Sequence, residues 1–236
     1  VTPVLPSEVG AHDGLAYSLW LPEGGGAPRG GVVVLHGAGS CKENHHDFAR
    51  AALGAGLAAI VFDQRGHGAS EGAMDGRVIE DIASVATILR ARLGSRSAPV
   101  ALRGSSMGGY LAILAAPAVQ ARAVVAICPA SAEALRRGLA DGAFEFGVDT
   151  DALDSFLSSH DLHAAVADLD VPLLLLHAEG DERVPVEHSR ELAERMRDPR
   201  SRLITVPGGH HRSIQHDPEL VATALRWLVR VLEPDD

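Results

Sequence analysis

Six short apolar runs, separated by longer amphipathic stretches, constrain this chain more than any other feature. "GVVVLH" (31–36), "LAAIVFD" (57–63), "PVALRGS" (99–105), "AVVAIC" (123–128), "VPLLLLH" (171–177) and "RLITVP" (202–207) read as strands. Several are apolar almost throughout, the pattern of strands covered by helices on both sheet faces. The stretches between them carry helical spacing. "DGRVIEDIASVATILRARLG" (75–94) sets Val78, Ile82, Val85 and Leu89 on one stripe. "VEHSRELAERMR" (186–197) and "DPELVATALRWLVRVL" (217–232) behave alike, the last with Asp217 as N-cap and Pro218 in the first turn. Strand and helix in alternation imply a mostly parallel, doubly wound α/β sheet with right-handed crossovers.

Two segments depart from the alternation. "VTPVLPSEVG" and "LAYSLWLP" flank His12-Asp13-Gly14, a hairpin signal, so antiparallel strands are expected at one sheet edge. Residues 131–168 hold no strand-like run and read as two short helices, with Ser131 and Thr150 or Asp151 as caps. An insertion after a parallel strand lies over the ligand crevice of an open α/β sheet. Phe144, Phe146 and Phe156 fall here in a chain that is 4% aromatic. With Leu135, Leu139, Leu153 and Leu157 they are available to line its underside, or only to anchor it. "PEGGGAPRG" (22–30) reads as a loop, too early for a domain linker. The expectation is one domain over 1–236 with a small helical cap at 131–168.

The chain has 236 residues, 46% hydrophobic and 22% charged, enough for a sizeable core. A net charge of −10 argues against nucleic acid or an anionic membrane as partner. Cys41 and Cys128 lie far apart, which fits a reducing compartment better than a disulfide. No apolar run reaches the length of a membrane span, and no basic-then-apolar leader opens the sequence. A cytoplasmic, soluble protein is expected, with its oligomeric state open. Lys42, the only lysine, reads as a mark of arginine-favouring coding.

"RGSSMGGY" (103–110) joins a strand to a helical run. Gly104-Ser105-Ser106-Met107-Gly108 fits G-x-S-x-G with Ser106 at its centre. That spacing serves a sharp strand-to-helix turn that lifts the serine hydroxyl above the sheet, with small residues where strand and helix pass closely. The Ser106 backbone should hold a positive φ, at about 1–3 kcal/mol of strain. Ser105 belongs to the strand end and should point elsewhere. A serine nucleophile needs a base and donors for the developing oxyanion. In "LHGAGS" (35–40) the Ala38 N–H is positioned to be one donor, with the Met107 N–H the other. "HAEGDERVP" (177–185) sets Asp181 just past a strand, where a carboxylate can orient an imidazole. Glu179 and Glu182 are its rivals and read as solvated loop charges. "VPGGHH" then ends in His210 and His211, either of which could be the base. His45-His46 and the group His210, His211, His216 lack zinc spacing, so no metal or cofactor is expected. His45 and His46 read as exposed residues of a loop or helix start.

With these motifs in place the chain resembles the α/β-hydrolase superfamily over nearly its full length. The resemblance rests on the edge strands, "HGAGS", "FDQRGHGAS", "GSSMGG", "HAEGDERVP" and "VPGGHH". It implies the α/β-hydrolase fold. It also implies a base at the last position of P-G-x-x-H, which is His211 here. "DQRGHGAS" resembles the family's structural loop after its fourth strand, so Asp63, Arg65 and His67 are implied to be architectural. The insertion looks like the small caps of feruloyl-esterase-like and monoacylglycerol-lipase-like esterases. The implied activity is hydrolysis of carboxylic ester or thioester bonds of small substrates through an acyl-enzyme, by Ser106, His211 and Asp181. A peptidase or amidase with the same residues, and a non-catalytic binding module on the same fold, are the alternatives. Dehalogenase and epoxide-hydrolase chemistry in this fold uses an aspartate nucleophile, which Ser106 argues against.

Overall fold

A computed structural model describes residues 3–22 and 28–233. The loop read over 22–30 lies mostly outside the described residues. The N-terminal hairpin forms as expected: β1 (Glu8–His12) pairs antiparallel with β2 (Leu15–Trp20). Asp13 and Gly14 both take positive φ, 51° and 78°, as a two-residue Asp-Gly hairpin turn requires. The chain then alternates through β3 (Gly31–Leu35), α1 (His46–Gly54), β4 (Ala58–Phe62), α2 (Val78–Arg92), β5 (Val100–Ser105), α3 (Met107–Val119) and β6 (Ala123–Ile127). Three helices follow, α4 (Ala132–Ala140), α5 (Thr150–Ser159) and α6 (Leu162–Ala167). The alternation resumes with β7 (Leu173–Ala178), α7 (Val186–Ala193), β8 (Arg202–Val206) and α8 (Pro218–Leu232).

Among the described residues, eight strands make one sheet in the order β1-β2-β4-β3-β5-β6-β7-β8. β2 meets β4 antiparallel, and every pairing from β4 to β8 is parallel. The strand pleat sends alternate residues to opposite faces. Val33, Leu35, Ile60 and Phe62 pack under α2 and α3, while Val32, Val34, Ala59 and Val61 pack under α1 and α8. Both faces are covered, which is why the runs are apolar throughout. The stripe Val78, Ile82, Val85 and Leu89 is buried, and Asp217 caps α8 by accepting the Glu219 and Leu220 N–H groups.

β3 continues to β4 on one side, and the chain then returns to place β5 on the other. That reversal opens a crevice beyond the carboxyl ends of β3 and β5. Residues 131–168 lie between β6 and β7, as expected, but hold three helices instead of two. The second is capped by Asp149, not by Thr150 or Asp151. The third, six residues long, is capped by Asp161. Leu135, Leu139, Leu153, Phe156, Leu157, Leu162 and Val166 join the core cluster of α2 and α3, so most of the apolar residues anchor this segment. Backbone bonds also stitch it to the loop after β4: Gly147 N–H to the Gly66 carbonyl at 3.0 Å, and Met74 N–H to the Gly147 carbonyl at 2.8 Å.

Candidate active site

Ser106 sits between β5 and α3 at φ 54° and ψ −119°, the strained turn its flanking glycines allow. Each glycine is sterically required. A Cβ on Gly104 would lie 2.0 Å from the Gly108 carbonyl oxygen, and one on Gly108 would lie 2.4 Å from that of Leu35. The turn is held by Ser106 N–H to the Ile127 carbonyl at 2.9 Å, and by Tyr110 and Ala130 N–H groups on the Ser106 carbonyl at 3.1 Å each. Ser105 ends β5 and is buried, as expected, and it is among the residues that border the cavity over Ser106.

That cavity measures about 420 Å³. Ser106, His211, Gly37 and Ala38 line it, with Ala130, Ala134, Leu135, Phe144 and Val184 as an apolar wall. Gly37 passes so close to Ser106 that a Cβ there would stand 3.4 Å from the serine Cβ. Two neutral imidazoles brace this loop. His36 Nε2 accepts the Gln64 N–H at 3.0 Å, so its proton is on Nδ1 and is donated to the Gly37 carbonyl at 2.8 Å. His67 Nε2 accepts the Gly39 N–H at 3.1 Å, and its Nδ1–H meets the Arg65 carbonyl at 3.0 Å. Met107 opens α3, whose first N–H groups have no partner within the helix.

Asp181 and His211 are brought together. Asp181 Oδ2 lies 2.7 Å from His211 Nδ1, with the carboxylate shut from solvent. Asp181 Oδ1 accepts the Arg183 and Val184 N–H groups at 2.9 Å each, and His177 Nε2 stands 3.5 Å from Oδ2. Burial raises the pKa of this carboxyl. The hydrogen bonds from His177, His211, Val184 and Arg183 outweigh that and hold it well below the usual carboxylate range. His210 is exposed, with its N–H on Ser213 Oγ, so of the two adjacent histidines it is His211 that meets the carboxylate. Of the rival acids, Glu182 accepts the His211 backbone N–H, and Glu179 pairs with Thr205 and Arg190.

Two readings from sequence are corrected. His45 is buried, not exposed: its Nδ1 lies 3.1 Å from Arg103 Nη1, and its ring stacks on His216 at 5.9 Å. His46 does start a helix and is half-buried against Trp20. Lys42 has a structural reason to be a cation. Its Nζ reaches Asp63 Oδ2 at 2.8 Å, and its N–H reaches Oδ1, where Asp63 is fully buried below the loop. No pattern in the sequence marked that pair, whose members lie 21 residues apart. Of the three phenylalanines in residues 131–168, Phe144 lines the cavity, Phe146 stacks on His67 at 3.9 Å and Phe156 is core.

The buried histidines give an acid-lability prediction. Burial pushes His36 down to about 4 and, with Arg103 beside it, His45 to about 2; burial also lowers His67. The unfolded chain binds these protons below about pH 6.5, where the folded chain still refuses them. Stability should therefore be full above about pH 6.5 and fall as pH drops toward 4, by on the order of 3 kcal/mol for His36 alone. Urea midpoints measured across that window check this, and a flat profile would contradict it.

Comparison with known proteins identifies the family and agrees with the fold. A family model described as serine aminopeptidase, S33 matches residues 26–144, half of the chain. The chain belongs to this family, among the serine hydrolases of the α/β-hydrolase superfamily. A second model, described as TAP-like protein, matches residues 156–234. A monoacylglycerol lipase of Mycolicibacterium smegmatis is 28% identical, over 91% of this chain and 92% of its own. A soluble variant of monoglyceride lipase from Saccharomyces cerevisiae, in complex with a substrate analog, superposes with a TM-score of 0.76 at 17% identity, covering 99% and 96% of the two chains. Est1E of Butyrivibrio proteoclasticus with bound ferulic acid superposes at 0.69 and 18% identity, over 96% of each chain. Among the described residues, no helix is long and apolar enough to cross a membrane.

Proposed function

We propose that this hydrolase cleaves carboxylic esters of small substrates through an acyl-enzyme, with Ser106 as nucleophile, His211 as base and Asp181 as its orienting acid. The carrying observation is the 2.7 Å contact of Asp181 Oδ2 with His211 Nδ1, beside a strained Ser106 on the same cavity. The carboxylate fixes the Nδ1–H tautomer and leaves the Nε2 lone pair for the serine proton. Ser106 Oγ attacks the ester carbonyl, and the Ala38 and Met107 N–H groups receive the oxyanion. His211 then protonates the departing alcohol. Water, deprotonated by His211, releases the acid.

The cavity, at the low end of ordinary ligand pockets, has room for one acyl or aromatic acid group and a small alcohol. Short-to-medium acyl or aromatic esters are favoured over long-chain triglycerides, with residues 131–168 acting as the cap of a single domain. The names of the similar lipases and of the ferulic-acid-bound esterase support this class. Free Cys41 and Cys128 support a cytoplasmic setting. A fluorophosphonate should label the protein once, on the peptide carrying Ser106; labelling elsewhere, or none, defeats the reading.

Amide cleavage is the second reading, favoured by the description of the matched family. An ester and an anilide of one acyl group separate the two. We expect kcat/KM for the ester to lead by orders of magnitude, and a faster anilide reverses the assignment. Selection by the cap is tested at Phe144. Phe144→Ala should change the ratio of kcat/KM between a bulky and a short ester by about tenfold, the scale of a lost apolar contact. An unchanged ratio removes Phe144 as a selector.

A further inference from the structure

On the side of α7 facing α6, His163, His188 and Glu191 converge, each offering one donor atom, and these atoms all lie within 4.8 Å of one another. His188 and Glu191 are three residues apart on α7 and so share a face. His163 comes from α6, the last helix of the inserted segment. The Nε2 atoms of His163 and His188 are both shut off from solvent and have no hydrogen-bond partner. His163 Nε2 stands 3.5 Å from Glu191 Oε2, and the two rings meet edge to face at 5.6 Å. Two buried imidazole nitrogens without a hydrogen bond are costly, and a cation ligated by both relieves that cost.

We propose that His163 Nε2, His188 Nε2 and Glu191 bind one divalent transition-metal ion of the zinc class, tying α6 to α7. Two imidazoles and a carboxylate suit that class by donor softness, and leave a fourth position. The outer contacts have the arrangement such ligands use. His163 Nδ1 faces Asp161 Oδ1 at 3.8 Å, and the His188 ring faces the Ala130 backbone. Zinc–donor bonds of about 2.1 Å set tetrahedral donors about 3.4 Å apart, so binding draws α6 and α7 closer. Ala130 donates its N–H to the Ser106 carbonyl and lines the cavity, so the tether reaches the cavity wall through one residue. The ion is a brace for the insertion and takes no part in ester cleavage. The site stands whether or not the proposed reaction does.

Sequence spacing hides the site, because His163 and His188 come from different helices and neither belongs to a zinc motif. The test is titration of chelator-stripped protein with Zn²⁺ by calorimetry, and with Co²⁺ by visible absorption. Wild type should bind one ion per chain, with a tetrahedral Co²⁺ spectrum and a raised Tm. His163→Gln should bind at least tenfold more weakly and lose the Tm shift, while its metal-free circular dichroism and ester hydrolysis match wild type. Glu191→Gln, at an exposed position, carries the same test should the first variant misfold. Equal affinity in wild type and variant overturns the proposal, as does no uptake by wild type. So does an ion that inhibits hydrolysis and persists in His163→Gln, since that ion would sit on Cys128, Asp181 and His211 instead.

Discussion

Ser106→Ala should lower kcat by about 10⁶-fold, and Ser105→Ala by less than about tenfold, although the two residues border one cavity. The difference lies in the backbone. Ser105 is the last residue of β5, paired with Ile127, and its side chain stays in the buried strand end. Ser106 is turned out of the strand by φ 54°, and a positive φ is sustained only where the surroundings impose it. Here they are the close passage of Gly104 against Gly108, and of Gly108 against the end of β3. Removing Oγ from Ser106 removes the group that the proposed mechanism acylates, so that route would close and only binding and oxyanion stabilisation would remain. Steady-state kinetics on an activated ester measures both variants, with circular dichroism as the control for folding. A Ser105→Ala loss matching that of Ser106→Ala would move the nucleophile or make the pair act as one.

What the sequence reveals tracks the range of the interaction behind each feature. The parallel strands are legible because burial on both faces leaves no polar position in Val32–Leu35 or Leu173–Leu176. The elbow is legible because the close approaches at Gly104 and Gly108 exclude every side chain larger than hydrogen. The choice between His210 and His211 is not local. It depends on Gly208 and Gly209, both at positive φ, which set the direction of the loop relative to Asp181, thirty residues earlier. Burial of His45 depends on Arg103 and His216, and the role of Lys42 on Asp63, contacts that a window along the chain does not contain. α6 spans six residues, too few to display a helical stripe, and only its Asp161 cap marks it. The three phenylalanines of the insertion share a composition and differ in role, because stacking on His67 or packing beneath α5 is decided by the tertiary path.

Asp181→Asn should lower kcat by about 10⁴-fold while leaving the fold intact. The carboxylate has two separate duties. Oδ1 takes the Arg183 and Val184 N–H groups, and Oδ2 takes the Nδ1–H of His211. An asparagine has one oxygen, and the two backbone donors hold it at the Oδ1 position. Its NH₂ then faces His211 Nδ1 as a donor. The imidazole must answer with a lone pair at Nδ1, which moves its proton to Nε2 and leaves nothing there to accept a proton from Ser106 as the proposed mechanism requires. The pH profile distinguishes this tautomer effect from a loss of packing. In wild type Asp181 stays ionised far into acid, because its hydrogen bonds outweigh the effect of burial. An acid limb of kcat/KM therefore does not report protonation of this carboxylate. In Asp181→Asn the limb should vanish, leaving a low rate that climbs only with hydroxide. A variant within about tenfold of wild type, or one that keeps the acid limb, would remove Asp181 from the proposed triad.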